Sequence, residues 1–437
     1  MRRTFVGRLR PQLAWFCAVV IAVLAVLRWG GAYSPVPAWS IHDAAARYTP
    51  GQLEQMDRWL AMGTVPGATT RWADMTEQAL LDLHSLTKPS GATVASNYGP
   101  WRYVWPRDAS WVAAAFCVSG HPREASQVLS FLAQTQRDDG RWEARYRLDG
   151  QPLRDRRGSQ LDANGWALWA VGLCARSLAA RPLGAAIGAP RNGTAIAAPD
   201  GDGPAAALAV QVWPLVQRAA DAAARALGPD GLPPKSPDYW ETRSEVTLGT
   251  AAPLLAGLRS AADLARQNDH LAEAGRWTAA ADRLATAIRA TFGTTGYLRR
   301  PGADSGADAA VTFLARPFGS ADPGVDAAVR HAAARLAVPN GGMRPGERWS
   351  GDPHEAWTPE TALFALAFAA SGDHEEAGRL LDWLDRHRSR TGSLPERVSK
   401  FDDPVSVAPL GWTAAITVLA VAAYDGKLSQ VRLRGRS

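Results

Sequence analysis

The sequence predicts an all-α fold built from helical hairpins, on three observations. About twelve segments rich in Ala, Leu and Arg carry apolar residues at helical spacing. No run of alternating β-branched residues reads as a strand. One hairpin recurs: the stretch from Ser119 to Leu132 and the stretch from Ser371 to Leu384 both read S-G-x-x-x-E-A-x-x-[VL]-L-x-[FW]-L. In each copy a glycine ends one helix and the next begins within a few residues, turned back on the first. The stretch from Asn268 to Ala274 repeats the idea with its Glu273-Ala274 pair. Repeated hairpins stack into an open solenoid or close into a ring. Twelve helices supply six hairpins, the number of an (α/α)6 toroid, which would gather its long loops at one end.

In chain order the helices are expected at 52–62, 72–86, 108–119, 123–136, 160–179, 205–227, 250–266, 271–292, 325–336, 359–371, 375–388 and 407–424. Short turns join several of them. The longer connections, 97–107, 137–159, 232–247, 341–358 and 391–406, are rich in polar and aromatic residues. The Gly/Pro/Ala-rich insert at 181–204 reads as a solvent loop.

Ahead of the helices, Arg2, Arg3, Arg8 and Arg10 precede fifteen apolar residues, Leu13 to Leu27, closed by Arg28. This is an export segment, so the body is expected to work outside the cytoplasm. Fifteen residues are short for a membrane span of about 20, which favours a signal peptide over residues 1–32. The flank Arg28-Trp29-Gly30-Gly31-Ala32 makes a mediocre cleavage site, so a retained membrane anchor through residues 13–27 is the alternative. Arg2-Arg3-Thr4-Phe5-Val6 hints at the twin-arginine route.

The net charge of +6 is concentrated at the ends. Five arginines in the first 28 residues and Lys427, Arg432, Arg434 and Arg436 in the tail at 427–437 account for nine positive charges, leaving the body at −3. A mildly acidic body argues against nucleic acid as a partner. Of three cysteines, Cys17 lies in the apolar segment, so Cys117 and Cys174 allow at most one disulfide in the body. No Cys/His spacing suggests a zinc site, and neither metal nor cofactor is expected.

Eighteen tryptophans are the compositional anomaly, and many stand beside charged residues. About half are expected in the core. The others suit a pyranose, whose C–H faces pack on an indole while its hydroxyls reach nearby Arg, Asp and Glu.

Ser236-Pro237-Asp238-Tyr239-Trp240-Glu241-Thr242 puts one carboxyl beside two rings. Pressed against an indole, Glu241 would lose hydration and keep a proton for donation. A solvated glutamate near a helix start is the plainer reading. In Trp105-Pro106-Arg107-Asp108, Asp108 fits a helix N-cap, or with Arg107 grips paired sugar hydroxyls while Trp105 packs on the ring. Further polar clusters are Gln160-Leu161-Asp162-Ala163-Asn164-Gly165-Trp166, His354-Glu355-Ala356-Trp357 and Ser393-Leu394-Pro395-Glu396-Arg397-Val398, the last followed by Ala408-Pro409-Leu410-Gly411-Trp412-Thr413. Glu396 read alone is an ion-pair partner of Arg397.

Taken in order, W-P-R-D, Q-L-D-x-x-G-W, P-D-x-W-E and L-P-E-x-V…P-L-x-W-T make the chain resemble the glucoamylase-type inverting glycoside hydrolases, family 15, from about Tyr98 to Tyr424. The resemblance implies an (α/α)6 catalytic domain over 48–426, with Glu241 as general acid and Glu396 as general base. It also implies Trp105, Arg107, Asp108 and Trp240 around the terminal glucose, with Gln160, Asp162 and Trp357 as further substrate contacts. Glu245, Glu355, Asp402 and Asp403 are the lesser acidic candidates. The expected partner is an oligo- or polysaccharide, cleaved from its non-reducing end as by a glucoamylase, glucodextranase or trehalase. A catalytically silent carbohydrate-binding envelope protein of the same fold is the alternative. Thr242 stands where the family often has a second acidic residue, which puts recognition of the leaving group in question.

Overall fold

The computed structural model describes residues 50–180 and 204–428, apart from 154, 156, 242 and 243. The apolar segment 13–27, most of the 181–204 insert and nearly all of the basic tail therefore lie outside the described residues.

Twelve α-helices are found among the described residues. They are α1 Pro50–Ala61, α2 Ala73–Leu86, α3 Pro106–Ser119, α4 Pro122–Thr135, α5 Asp162–Ala179, α6 Pro204–Ala226, α7 Leu248–Gln267, α8 Leu271–Thr291, α9 Pro323–Leu336, α10 Thr358–Ser371, α11 His374–Arg386 and α12 Gly411–Tyr424. Helices α3, α5, α7, α10 and α12 are buried on nearly all sides. A helix apolar all round belongs inside other helices. By contrast α4, α8, α9 and α11 bury one stripe only.

The buried elements close a ring. Helix α3 packs on α5, α5 on α7, α7 on the 3₁₀ segment Ala309–Leu314, that segment on α10, α10 on α12, and α12 back on α3. Helices α2, α4, α6, α8, α9 and α11 each precede one inner element, giving an (α/α)6 barrel. The expected count of twelve holds, but the roles differ. Helix α1 packs on α2 ahead of the first hairpin, and the fourth inner wall is the six-residue 3₁₀ turn. Such a turn is too short to carry a helical period.

The recurring hairpin runs from an inner helix to the next outer one. Gly120 and Gly372 end α3 and α10 with φ of 80° and 85°, the left-handed conformation that glycine adopts without a Cβ clash. Where α5 and α7 pack, a Cβ on Gly165 would stand 2.2 Å from the backbone of Pro253, so only glycine permits that approach.

Cys117 of α3 and Cys174 of α5 form a disulfide between neighbouring inner helices. Seven tryptophans, Trp72, Trp111, Trp142, Trp166, Trp169, Trp277 and Trp383, are fully buried. At about 25 cal/mol per Å², an indole burying roughly 200 Å² contributes up to about 5 kcal/mol. Trp111, Trp166 and Trp169 meet Phe318 at ring-centre distances of 5.4, 5.3 and 5.0 Å, an aromatic cluster at the contact of α3 with α5.

Two local expectations are corrected. The last helix starts at Gly411 rather than 407, because extended residues lead through Pro409 to Leu410. Three strands, β1 Ala356–Trp357, β2 Arg397–Val398 and β3 Pro404–Val405, pair antiparallel in that order. At two residues each they are too short for alternation to register. They fix the residue after Glu396 against Trp357.

Candidate active site

Each long loop runs from an outer helix to the start of the next inner one, so all of them meet at one end of the barrel. There they surround a cavity of about 490 Å³. Its buried lining includes Trp105, Arg107, Asp108, Glu360, Glu396 and Trp412, and its more open lining includes Trp101, Arg157, Trp240, Glu241, Trp349 and Trp357. Of the sequence candidates, Trp105, Arg107, Asp108, Trp240, Glu241, Trp357 and Glu396 come together here. Gln160 and Asp162 stand one layer behind. Among the described residues, six tryptophans therefore face this space, and Trp59 joins the seven fully buried ones in the core.

Glu241 sits on a built turn. Its N–H donates to the carbonyl of Asp238 at 2.9 Å, and the Trp240 N–H donates to Oδ1 of Asp238 at 3.0 Å. Asp238 is held by Arg299 at 2.9 Å and by the Thr247 hydroxyl at 2.7 Å, while the Arg299 guanidinium lies 3.7 Å from the Trp240 ring centre. Glu241 has φ +57°, a left-handed conformation uncommon for a residue with a Cβ. Strain of this kind collects at functional sites.

Trp105 donates its indole N–H to Oε1 of Glu241 at 2.6 Å, Gln160 donates to the same oxygen at 2.7 Å, and Nε of Arg157 stands 3.3 Å from Oε2. Glu241 does meet an indole, that of Trp105. The nearest indole meets Glu241 through its N–H edge, and the side chain is 20% exposed.

Glu396 precedes β2. It accepts hydrogen bonds from the Trp101 indole N–H at 3.1 Å and from the Ser406 hydroxyl, and Nε of Arg397 is 3.6 Å away. Ser406 also has positive φ, +70°. Burial pushes the Glu396 carboxyl above its ordinary range, and Ser406, Arg397 and Trp101 act against that rise. Arg397 pairs more closely with Glu355, at 2.7 Å, so Glu396 is not tied up by its sequence neighbour.

Arg107 organises the buried side. It donates to Gln160 at 2.8 Å and pairs with Asp162 at 3.3 Å and Asp108 at 3.2 Å. Burial opposes its charge, but Asp108, Asp162 and Glu241 outweigh that effect and hold its proton more firmly than usual. Asp108 lies inside the first turn of α3 and caps nothing, since Pro106 starts the helix. Gln160 bridges Arg107 to Glu241.

The other acidic candidates lie elsewhere: Glu245 faces Arg300 at 3.7 Å, Asp402 stands 3.5 Å from His387, and Asp403 is exposed. Thr242 lies outside the described residues. Sequence reasoning missed Trp101, Arg157, Glu360 and Ser406. Trp101 was legible as an aromatic beside a motif, whereas Arg157 sat among several loop arginines. Glu360 carried the marks of an ordinary helix-start acid after Pro359.

No family model matches the chain. It is similar to an uncharacterized glycosyl hydrolase of Methanocaldococcus jannaschii, 22% identical over a 376-residue alignment that covers 80% of this chain and 56% of that protein. The chain thus spans little more than half the length of that relative. Among solved structures it resembles a glycosidase with a TM-score of 0.65 and 19% identity, covering 85% of this chain and 99% of the other. A bacterial glucoamylase complexed with acarbose superposes with a TM-score of 0.66 and 20% identity, over 86% of this chain and 58% of the other. Glucoamylase from Saccharomycopsis fibuligera does so with a TM-score of 0.63 and 12% identity, over 86% and 96%. At such identities the likeness concerns architecture, and the chain has the (α/α)6 fold of the glucoamylase-like glycosidases.

Proposed function

We propose that this chain is an exported, exo-acting α-glucoside hydrolase that removes terminal glucose from non-reducing ends with inversion. The observation that carries the reading is the placement of Glu241 and Glu396 on loops feeding the third and the sixth of six inner elements. Three places apart in a ring of six, the two loops face each other across the cavity that both carboxyls line. Inversion asks for carboxyls on opposite sides of the sugar, one on the leaving oxygen and the other activating water on the opposite face, a pair that in such enzymes stands about 6.5–9.5 Å apart.

In this mechanism Glu241 gives its proton to the glycosidic oxygen as the bond to the anomeric carbon breaks. Glu396 takes a proton from the water that attacks that carbon from behind, so an α-linkage yields β-glucose. Trp105 and Gln160 occupy Oε1 of Glu241, which leaves Oε2 as the donating oxygen. The leaving group then replaces Arg157 beside it. Arg107 and Asp108 hold hydroxyls of the terminal sugar, and the buried inner end of the cavity suits a chain end. Export is supported by the Cys117–Cys174 disulfide, a bond typical of oxidising compartments.

The test is a panel of maltose, isomaltose, trehalose, dextran and soluble starch with the first-released anomer followed by NMR. β-Glucose is expected from one or more of them, and initial α-glucose would overturn inversion. Glu241→Gln and Glu396→Gln should each lower kcat by about 10²–10⁴-fold without altering the melting profile. Ordinary turnover in either variant removes its role.

A further inference from the structure

A fourth carboxyl in the cavity has no part in the mechanism above. Glu360, in the first turn of α10, is 2% exposed and lines the same space as Glu241 and Glu396. No side chain among the described residues hydrogen-bonds to it, and its Oε2 is buried without a partner. Leaving a buried polar group unpaired is unfavourable, so such a group in a cavity wall points to a ligand that completes it. The charged and titratable groups that face it are Arg107, Asp308, Glu396 and Tyr239. Arg107 is committed to Asp108, Asp162 and Gln160, and Asp308 to Tyr239 and Arg299.

We propose that Glu360 is a fourth carboxyl of the sugar site, holding the terminal hexose by donating a hydrogen bond to one sugar hydroxyl. This rests on the glycosidase reading and deepens it. A carboxylic acid kept neutral by its surroundings is a donor that a carboxylate cannot be. Burial, with help from Asp308 and Glu396 and against its own backbone N–H and Arg107, pushes Glu360 up to about 8. The proton is therefore in place at neutral pH. The same carboxyls define the ligand: Asp108, Glu241, Glu360 and Glu396 share the lining with Arg107 and Arg157 as its cations. The cavity thus takes a neutral hexose and repels a uronic acid.

The test is binding of D-glucose, its 2-, 3-, 4- and 6-deoxy analogues, glucuronate and glucosamine to the whole protein by calorimetry or ligand-observed NMR. It is run on native protein, Glu360→Gln and Glu360→Ala, with melting curves to show that each is folded. Besides the analogues that lose contacts to Arg107 and Asp108, the one lacking the hydroxyl held by Glu360 should bind native protein about tenfold more weakly than glucose, because a single hydrogen bond is lost. Glu360→Ala should erase that discrimination, and Glu360→Gln, whose amide still donates, should keep it. Glucose affinity should fall above pH 8 in native protein and stay level in Glu360→Gln. A penalty for every deoxy analogue that is the same in Glu360→Ala as in native protein would overturn the proposal and leave the sugar site standing. Preference for glucosamine or glucuronate over glucose would overturn the neutral-acid role. Failure of glucose to bind folded native protein would remove the glycosidase reading and this inference together.

Discussion

Trp101 donates its indole N–H to Oε1 of Glu396 over 3.1 Å. The contact ties the open side of the cavity to the proposed base, and it favours the ionised carboxylate against the burial that disfavours it. A general base works only when ionised. Trp101→Phe keeps the ring and deletes the donor, so Glu396 should hold its proton to higher pH. The acidic limb of the kcat/KM profile should move upward, with a loss of roughly tenfold below pH 5 and a smaller one above pH 7. An unshifted limb would sever Trp101 from the base.

Arg299 joins two buried carboxylates, Asp238 at 2.9 Å and Asp308 at 3.4 Å. Arg299→Leu strands both. A loss of about 3–5 kcal/mol in chemical denaturation is expected, the usual result of leaving a buried charge unpaired. Activity should fall with it even where the variant is folded, because Asp238 shapes the turn that carries Glu241. Arg299→Lys, which keeps the charge without the fork, should fall in between.

Buried carboxyls set the dependence of stability on pH. Burial pushes Asp82 up to about 7 and Glu360 up to about 8, and raises Asp108 and Asp162 as well. Each binds its proton more tightly folded than unfolded. Its contribution is therefore complete below the unfolded value near 4 and is lost as pH climbs through the folded value. His84, held below its ordinary value by burial, opposes this trend below about pH 6.5. Tm should fall by several degrees between pH 5.5 and 8.5 at fixed ionic strength. Asp82→Asn, away from the cavity, should flatten that slope; a slope equal to that of native protein would exclude Asp82 as a source.

The disulfide between α3 and α5 closes a loop of 57 positions. Chain-entropy arguments give such a link up to about 4 kcal/mol. Cys117→Ser with Cys174→Ser should lower Tm while leaving KM at 25 °C unchanged, because Arg107 and Asp108 sit in the first turn of α3 and Cys117 near its far end. A raised KM would mean that the bond also sets the cavity.

The sequence made the inner helices legible because their Ala- and Leu-rich runs have no polar face, and the two Ser-Gly hairpins legible because the glycine is obligatory. It hid the 3₁₀ wall Ala309–Leu314, which closes the ring in six residues, and the two-residue strands beside Glu396. Motif residues announced themselves through unusual neighbours, as Trp105 does beside Pro106 and Arg107. Glu360 and Ser406 did not, because a glutamate after a helix-start proline and a loop serine are common locally, and only the ring brings them to the cavity.

The direction of the inner helices has an electrical consequence. Helices α3, α5, α7, α10 and α12 all begin at the cavity end. Each N-terminus carries roughly half a positive charge from its aligned peptide dipoles. The inner N-termini thus bring partial positive charge close to the four carboxyls that line the cavity, while the outer helices, which run the opposite way, offset that field away from the cavity.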